Sequence, residues 1–336
     1  MEYRNLGRTG VKVSQLCLGT MMFGRRTNER DSIQMVEHAL EQGINFIDTA
    51  NAYSAGDSER FVGKALAGAR RASVMLATKV FFPQDAKDPN ARGLSRRHII
   101  DACEASLQRL GTDWIDLYQL HRAQSEIPID ETLRALDDLV RAGKVRYIGT
   151  SMFPAWKIVE SLWAAKELGL NRFVSEQMAY HLLDRTTERE VVGAARTFGI
   201  ALLPWAPLCG GLLTGKYRRD DFSAEGRWHG GKDNFDRPAP PEAFAVIEGL
   251  VALARDKGCS PSQLALAWNF SQPGITAPII GPRTLEQLVD NLGSVRVQIT
   301  AEDSAALDAL APPLHATMRY YDAAMAIDFK PNFPRW

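Results

Sequence analysis

Two hydrophobic rhythms alternate along the chain. Short apolar runs read as buried strands at Gln15-Leu-Cys-Leu-Gly19, Asn45-Phe46-Ile47, Val74-Met-Leu-Ala-Thr78 and Trp114-Ile-Asp-Leu-Tyr-Gln-Leu120. Four more follow at Val145-Arg-Tyr-Ile-Gly149, Arg172-Phe-Val-Ser175, Ile200-Ala-Leu-Leu203 and Thr276-Ala-Pro-Ile-Ile280. Between them apolar residues recur at helical spacing. Ile33, Val36 and Leu40 mark a helix over 30–42, and others are predicted near 58–67, 154–168 and 242–257. Ser95 can cap a helix whose apolar face is Ile99, Ile100, Cys103, Leu107 and Leu110, with Gly111 beyond its end. Leu133, Leu136 and Val140 lie on one side of a helix that Gly143 closes. Thr187 and Glu190 have capping-box spacing before a helix reaching about Phe198. Ser260-Pro261-x-Gln263 and Thr284-x-x-Gln287 open two further helices. Ahead of all this, residues 2–15 hold two extended pieces around Gly7-Arg-Thr-Gly10, which suggests a hairpin.

Strand and helix alternating eight times over about 280 residues predict an α/β fold, a (β/α)8 TIM barrel spanning 1–336 as one domain. A doubly wound sheet competes, but no G-x-G-x-x-G follows the first strand and no composition break marks a boundary. Long excursions at 81–94, 206–240 and after Pro312, a tail that carries Phe329, Phe333 and Trp336, are expected to wall a pocket at the catalytic face.

Composition adds exclusions. Forty basic and forty acidic residues cancel, so neither nucleic acid nor a membrane surface is an expected partner. The start lacks a basic-then-apolar signal, and no apolar run approaches the roughly 18 residues of a membrane helix. Cys17, Cys103, Cys209 and Cys259 are scattered without metal-type spacing, so the reading expects reduced thiols, no metal and a cytoplasmic protein.

The candidate chemistry gathers at strand ends. Asp48 closes the second strand with Tyr53 just beyond, Lys79 closes the third, and His121 follows the fourth. Each alone has a bland explanation: a helix cap, a half-buried ring, a solvated strand end, a core histidine. Together they deliver an acid, a phenol, an ammonium and an imidazole to the carboxyl edge, where barrels place their chemistry. A lysine beside a phenol favours the phenolate, an aspartate holds the lysine, and a histidine can orient a carbonyl oxygen. The set suits protonation of a carbonyl oxygen while a second group attacks its carbon.

These four residues resemble the catalytic tetrad of the aldo-keto reductase superfamily. The likeness covers nearly the whole chain through Gly19-Thr20-Met21, Phe46-Ile-Asp-Thr-Ala-x-x-Tyr53, Ser58-Glu59 with Gly63, and Gly149-Thr-Ser151. It continues in Gln177, Leu182-Leu-Asp-Arg185, Trp205-x-Pro-Leu208, Gly211-Leu-Leu-Thr-Gly-Lys216 and Gly281-x-Arg283-x3-Gln287-x2-Asp290-Asn291. The resemblance implies hydride transfer from NADPH to an aldehyde or ketone, with Tyr53 as general acid assisted by Lys79, Asp48 and His121. It also implies a cofactor surface. Gly19, Thr20, Met21 and Asp48 would lie along it, Ser151 and Gln177 would hold the carboxamide, and Trp205 with Ala206 would meet the ring. Leu208, Gly210 and Lys216 would strap the pyrophosphate, and Gly281, Arg283, Gln287, Asp290 and Asn291 would hold the adenosine end.

Two departures qualify the match. Met152 stands where many relatives carry Asn, and Gly281 and Gln287 occupy the places of a basic pair in the best-known branch. Arg283 can supply the charge for a 2′-phosphate, so NADPH/NADP+ is favoured over NADH. The pattern of Trp205-x-Pro-Leu with a long loop to 240 looks closer to bacterial and channel-subunit-like branches than to the human aldose reductase branch. Met22, Phe23, Phe82, Met152, Phe153 and Trp228 are expected to form an apolar substrate pocket. The partner is therefore a small carbonyl compound; which one, the direction of reaction and whether the chain forms a homo-oligomer are left open. NAD(P)-dependent alcohol oxidation is one alternative. A redox-sensing, non-catalytic interaction subunit is another, disfavoured because the chain opens almost directly on its hairpin. Isomerase or aldolase chemistry could use the lysine but would not explain Ser151, Gln177 and Trp205.

Overall fold

A computed structural model describes residues 1–85, 87–231 and 238–319; Phe329, Phe333 and Trp336 lie outside them. The expected hairpin is formed by β1 (Tyr3–Asn5) and β2 (Lys12–Ser14), paired antiparallel. Eight parallel strands follow: β3 (Cys17–Gly19), β4 (Phe46–Asp48), β5 (Met75–Val80), β6 (Ile115–Leu120), β7 (Val145–Ser151), β8 (Phe173–Gln177), β9 (Ala201–Leu202) and β10 (Ile279–Ile280). Their order is β10-β3-β4-β5-β6-β7-β8-β9. Parallel bridges from Leu202 to Ile275 and from Trp205 to Ile279 join the two ends, so the sheet closes as a (β/α)8 barrel.

Inside the barrel Phe46, Met75, Ala77, Leu117, Val174, Ala201 and Leu203 pack with Leu6 and Val13 of the hairpin, which plugs the amino-terminal end. Outside it a larger apolar layer is shared with the helices, as expected of parallel strands buried on both faces. Helices α1 (Glu29–Glu41), α2 (Asp57–Ala65), α3 (Arg96–Leu110), α4 (Ile129–Arg141) and α5 (Ala155–Leu168) follow their strands in turn. The Ser95 hydroxyl accepts from His98 N and Gly111 ends α3 at φ 61°, as the sequence signals.

The last third departs from simple alternation. Two helices, α7 (Pro241–Asp256) and α8 (Pro261–Ser271), separate β9 from β10. Beyond α9 (Leu285–Gly293) lies α10 (Ala301–Leu310), which the hydrophobic pattern does not reveal because only Asp303 and Leu307 on it are buried. The capping box expected at Thr187 and Glu190 is absent. Asp184 Oδ1 accepts from Thr186 N and Thr186 Oγ1 at 3.1 and 2.6 Å, which starts a 3-10 turn one residue earlier, and α6 runs only from Val191 to Phe198. The boxes at Ser260 and Gln263 and at Thr300 and Asp303 are complete.

Candidate active site

Parallel pairing sets the first distances. Asp48 ends β4 beside Ala77 of β5, while Lys79 of β5 pairs with Gln119 of β6, so all three side chains can meet inside the barrel mouth. Lys79 is fully buried. Its Nζ donates to Asp48 Oδ2 at 2.5 Å, to the Thr49 carbonyl at 2.8 Å and to the Tyr53 hydroxyl at 3.2 Å. Burial works against the ammonium, yet the charges of Asp48 and Tyr53 and the hydrogen bonds to both outweigh it and hold the Lys79 pKa above the ordinary lysine value. Asp48 Oδ1 accepts from Gln119 and Gln177, each at 2.9 Å. Both carboxylate oxygens are therefore engaged.

Tyr53 hangs on a bent loop. Ser54 and Ala55 adopt φ of 50° and 52°, a conformation that costs non-glycine residues on the order of 1–3 kcal/mol. Surrounding bonds hold it: Ser54 Oγ donates to the Phe23 carbonyl at 2.7 Å, and Ser58 Oγ lies within 3.0 Å of the Thr20 and Thr49 hydroxyls. His121 completes the group edge-on to the Tyr53 ring, with centroids 5.8 Å apart. Burial, followed by Lys79 and Arg122, pushes the His121 pKa well below its usual value, so the imidazole is neutral. The structure thus brings Asp48, Tyr53, Lys79 and His121 together. It adds Gln119, which the sequence reading missed; its signal is a polar residue on the same strand face as His121, two positions before it.

Beside the tetrad lie the residues implied for a nicotinamide. Ser151 Oγ donates to the Gln177 carbonyl at 2.9 Å, and the Gln177 side-chain nitrogen is spent on Asp48 and Gln119. The Gln177 amide oxygen takes no donor among the described residues, which fits an incoming carboxamide N–H. Trp205 is half-buried with its indole N–H 3.3 Å from Met152 Sδ, and Met152 holds φ 58°. Met152 thus meets the indole N–H through its sulfur.

The loop after β9 turns sharply at Ala206 (φ 52°), Cys209 (φ 50°), Gly210 and Gly211, and ends at exposed Lys216. Leu208 and Gly210 stand half-buried along it. Beyond β10, Gly281 is open on its side-chain face, Arg283 N donates to Gln287 Oε1 at 2.9 Å, and Asn291 is buried. Asp290 is used inside the fold, accepting from Ser260 Oγ at 2.8 Å and Gln263 Nε2 at 2.9 Å. Of the adenosine-end residues, Arg283 is the cation. Lys216 feels Arg283 and also Arg26 from the loop after β3; after burial these two charges lower its proton affinity. Backbone turns and unneutralised cations fit a phosphate-bearing ligand.

The apolar pocket residues separate into two groups. Phe82 sits half-buried with its ring edge-on to His121 at 4.9 Å, at the mouth of the site, and Met21, implied for the cofactor surface, is exposed on the same rim. Met22 and Phe23 are buried within the loop after β3, and Phe153 is buried against Phe173 in the outer layer. Trp228 lies wholly buried beneath the loop after β9, its indole donating to the Cys209 carbonyl at 2.9 Å, so its ring supports that loop and does not line the mouth.

Comparison with known proteins gives one consistent answer. The family model described as Aldo/keto reductase family matches residues 15–312. An uncharacterized oxidoreductase, YrpG, of Bacillus subtilis is 42% identical over 314 residues, spanning 90% of this chain and 93% of its own. Versiconal hemiacetal acetate reductase of Aspergillus parasiticus is 37% identical, spanning 90% and 95%. A probable voltage-gated potassium channel subunit beta of Oryza sativa is 34% identical, spanning 88% and 92%.

Proposed function

The chain belongs to the aldo/keto reductase family and is an oxidoreductase of that family, and from that premise we propose that it reduces an aldehyde or ketone to the alcohol with NADPH. The observation that carries the reading is Lys79 Nζ held between Asp48 at 2.5 Å and the Tyr53 hydroxyl at 3.2 Å. A nicotinamide dinucleotide, when bound in reduced form, supplies the hydride. Ser151, Gln177 and Trp205 would hold its nicotinamide end, Leu208, Gly210 and Lys216 its pyrophosphate, and Arg283 with Gln287 and Asn291 its adenosine end.

The protein's own groups handle the proton. Tyr53 gives its phenolic hydrogen to the carbonyl oxygen as negative charge builds there, and the Lys79 ammonium stabilises the charge left on the phenol oxygen. Asp48, fixed by Gln119 and Gln177, keeps Lys79 in place. His121, neutral and set against Phe82, orients the carbonyl by hydrogen bonding and carries no charge of its own. Phe82 at the mouth favours an apolar or aromatic carbonyl compound, in keeping with the likeness to a reductase named for versiconal hemiacetal acetate.

The test is loss of reduced-nicotinamide absorbance with NADPH and NADH in parallel over a panel of aldehydes and ketones, with Tyr53→Phe as control. Turnover with NADPH that falls by about 10²–10⁴-fold in the variant is expected. Turnover equal in the two proteins sinks the acid role. The likeness to channel beta subunits favours a second reading, an interaction subunit that keeps a nicotinamide site. Tight NADPH binding with no turnover on any carbonyl would move the weight to it.

A further inference from the structure

The loop after β3 carries two exposed arginines, Arg25 and Arg26, that the motif-based reading of the chain passes over. It is a locked loop. The backbone amides of Arg25, Arg26 and Thr27 all donate to the Met22 carbonyl, at 3.2, 3.0 and 3.1 Å, and Gly24 N donates to the Thr27 carbonyl at 2.9 Å. Thr27, buried, then donates its hydroxyl to the Arg283 carbonyl at 3.0 Å. One residue before a direct tie to Arg283, Arg26 is therefore fixed beside the segment that follows β10.

Three cations from three different loops meet here. Arg26 comes from the loop after β3, Lys216 from the loop after β9, and Arg283 from the loop after β10. None of the three forms an ion pair with a carboxylate among the described residues; the Lys216 ammonium donates to the Glu225 backbone carbonyl instead, at 2.6 Å. Lys216 feels both Arg26 and Arg283, and so does Tyr217. Glu225 is an opposing charge on Lys216 but acts more weakly than either arginine, so the cations repel one another, and an anion seated between them would relieve the repulsion. Arg283 N is tied to Gln287, and Thr284 caps α9, so the segment facing Arg26 is rigid as well.

We propose that Arg26 is the third cation of an anion site shared with Lys216 and Arg283, and that it binds the 2′-phosphate of the dinucleotide, so that selection of NADPH over NADH depends on Arg26 together with Arg283. This rests on the nicotinamide-dependent reading given above. A 2′-phosphate is the one group that distinguishes the two dinucleotides. With Lys216 on the pyrophosphate side of the site, a dianionic 2′-phosphate placed between exposed Arg26 and half-buried Arg283 gains charge-assisted hydrogen bonds that a ribose hydroxyl cannot make.

Equilibrium binding separates this inference from its premise. NADP+, NAD+, 2′,5′-ADP and 5′-AMP are titrated by calorimetry into the unaltered protein and into Arg26→Ala, Arg26→Lys and Arg25→Ala. Arg26→Ala is expected to weaken NADP+ and 2′,5′-ADP by about tenfold and to leave NAD+ and 5′-AMP within about twofold. Arg26→Lys should restore part of the loss, and Arg25→Ala should bind as the unaltered protein does. Equal weakening of NADP+ and NAD+ by Arg26→Ala overturns the 2′-phosphate assignment, and so does unchanged NADP+ binding. If neither dinucleotide binds the unaltered protein, the nicotinamide-dependent reading itself falls, and this inference with it.

Discussion

The Gln177 side chain donates to Asp48 Oδ1 at 2.9 Å although 129 positions separate the two residues. With Lys79 on the other oxygen, Asp48 joins β4, β5 and β8 through one carboxylate. Asp48→Asn keeps the shape and removes the charge, leaving a buried ammonium without its counter-ion. Breaking such a pair costs about 3–5 kcal/mol. Because the folded Lys79 pKa is raised, the stability from the pair is full below the unfolded lysine value of about 10.4 and is lost as pH rises through the folded value. Urea melts at pH 7 should show the variant less stable by this amount. A loss under about 1 kcal/mol would show that the hydrogen bonds of Asp48, and not its charge, hold the site.

Glu176, one residue earlier on β8, is wholly buried and faces away from Asp48. Burial pushes its carboxyl up to about 8, against hydrogen bonds from Thr150 Oγ1 at 2.6 Å and Phe153 N at 3.1 Å that pull the other way. A raised folded pKa means stability that is full below the unfolded glutamate value of about 4.3 and is lost as pH rises through about 8. Glu176→Gln mimics the protonated acid and removes that dependence. Its advantage over the unaltered protein should grow by roughly 1 kcal/mol per pH unit between pH 5 and 8 and level off above. Parallel stability curves for the two proteins across that range would refute the assignment.

His181 works at the acid end. Burial pushes it down to about 3, so it stays neutral in the folded chain while the unfolded chain protonates near 6.5. The stability is full above about 6.5 and is lost as pH falls towards about 3. Denaturant midpoints measured at pH 7, 6 and 5 should fall steadily, and His181→Gln should flatten that fall even where it lowers stability at pH 7. An unchanged slope in the variant would assign the acid sensitivity to other groups, His121 first among them.

Which parts of this architecture are legible in the chain follows from how local their causes are. The strands of the first six units announce themselves because both faces are buried, and Ser95, Gly111 and Ser260 mark helix ends through bonds to residues three or four positions away. The tetrad is legible because Asp48, Lys79 and His121 stand at strand ends and Tyr53 follows one of them by five residues. Gln119 is not, since its role depends on a side chain 71 positions away. Trp228 misleads for a related reason: a tryptophan in a long polar loop reads as a pocket wall, and only tertiary contact with Cys209 places it beneath the loop. Thr187 loses its cap to Asp184, a competition between two local signals that spacing alone does not decide.

The same substitution at two glycines should change stability in opposite directions. Gly63, on α2, has ordinary helical backbone, so alanine would gain up to about 1 kcal/mol in helix propensity. A Cβ there would stand 2.5 Å from the Leu110 carbonyl oxygen and 2.7 Å from its carbon, both backbone atoms at the end of α3. Neither can turn aside as a side-chain tip would, so α2 must shift, at a cost of about 1–3 kcal/mol. The shift reaches the site, because Ser58 at the start of α2 is bonded to Thr20 and Thr49 beneath the Tyr53 loop. Gly193, on α6, also has ordinary helical backbone, and a Cβ there meets nothing within 4 Å. Gly193→Ala should therefore raise stability by about 0.5–1 kcal/mol with turnover unchanged, while Gly63→Ala lowers both. Thermal melts and steady-state rates on the two variants decide it. A Gly63→Ala protein that melts at or above the unaltered protein would mean that α2 and α3 do not approach as closely in solution as these distances require.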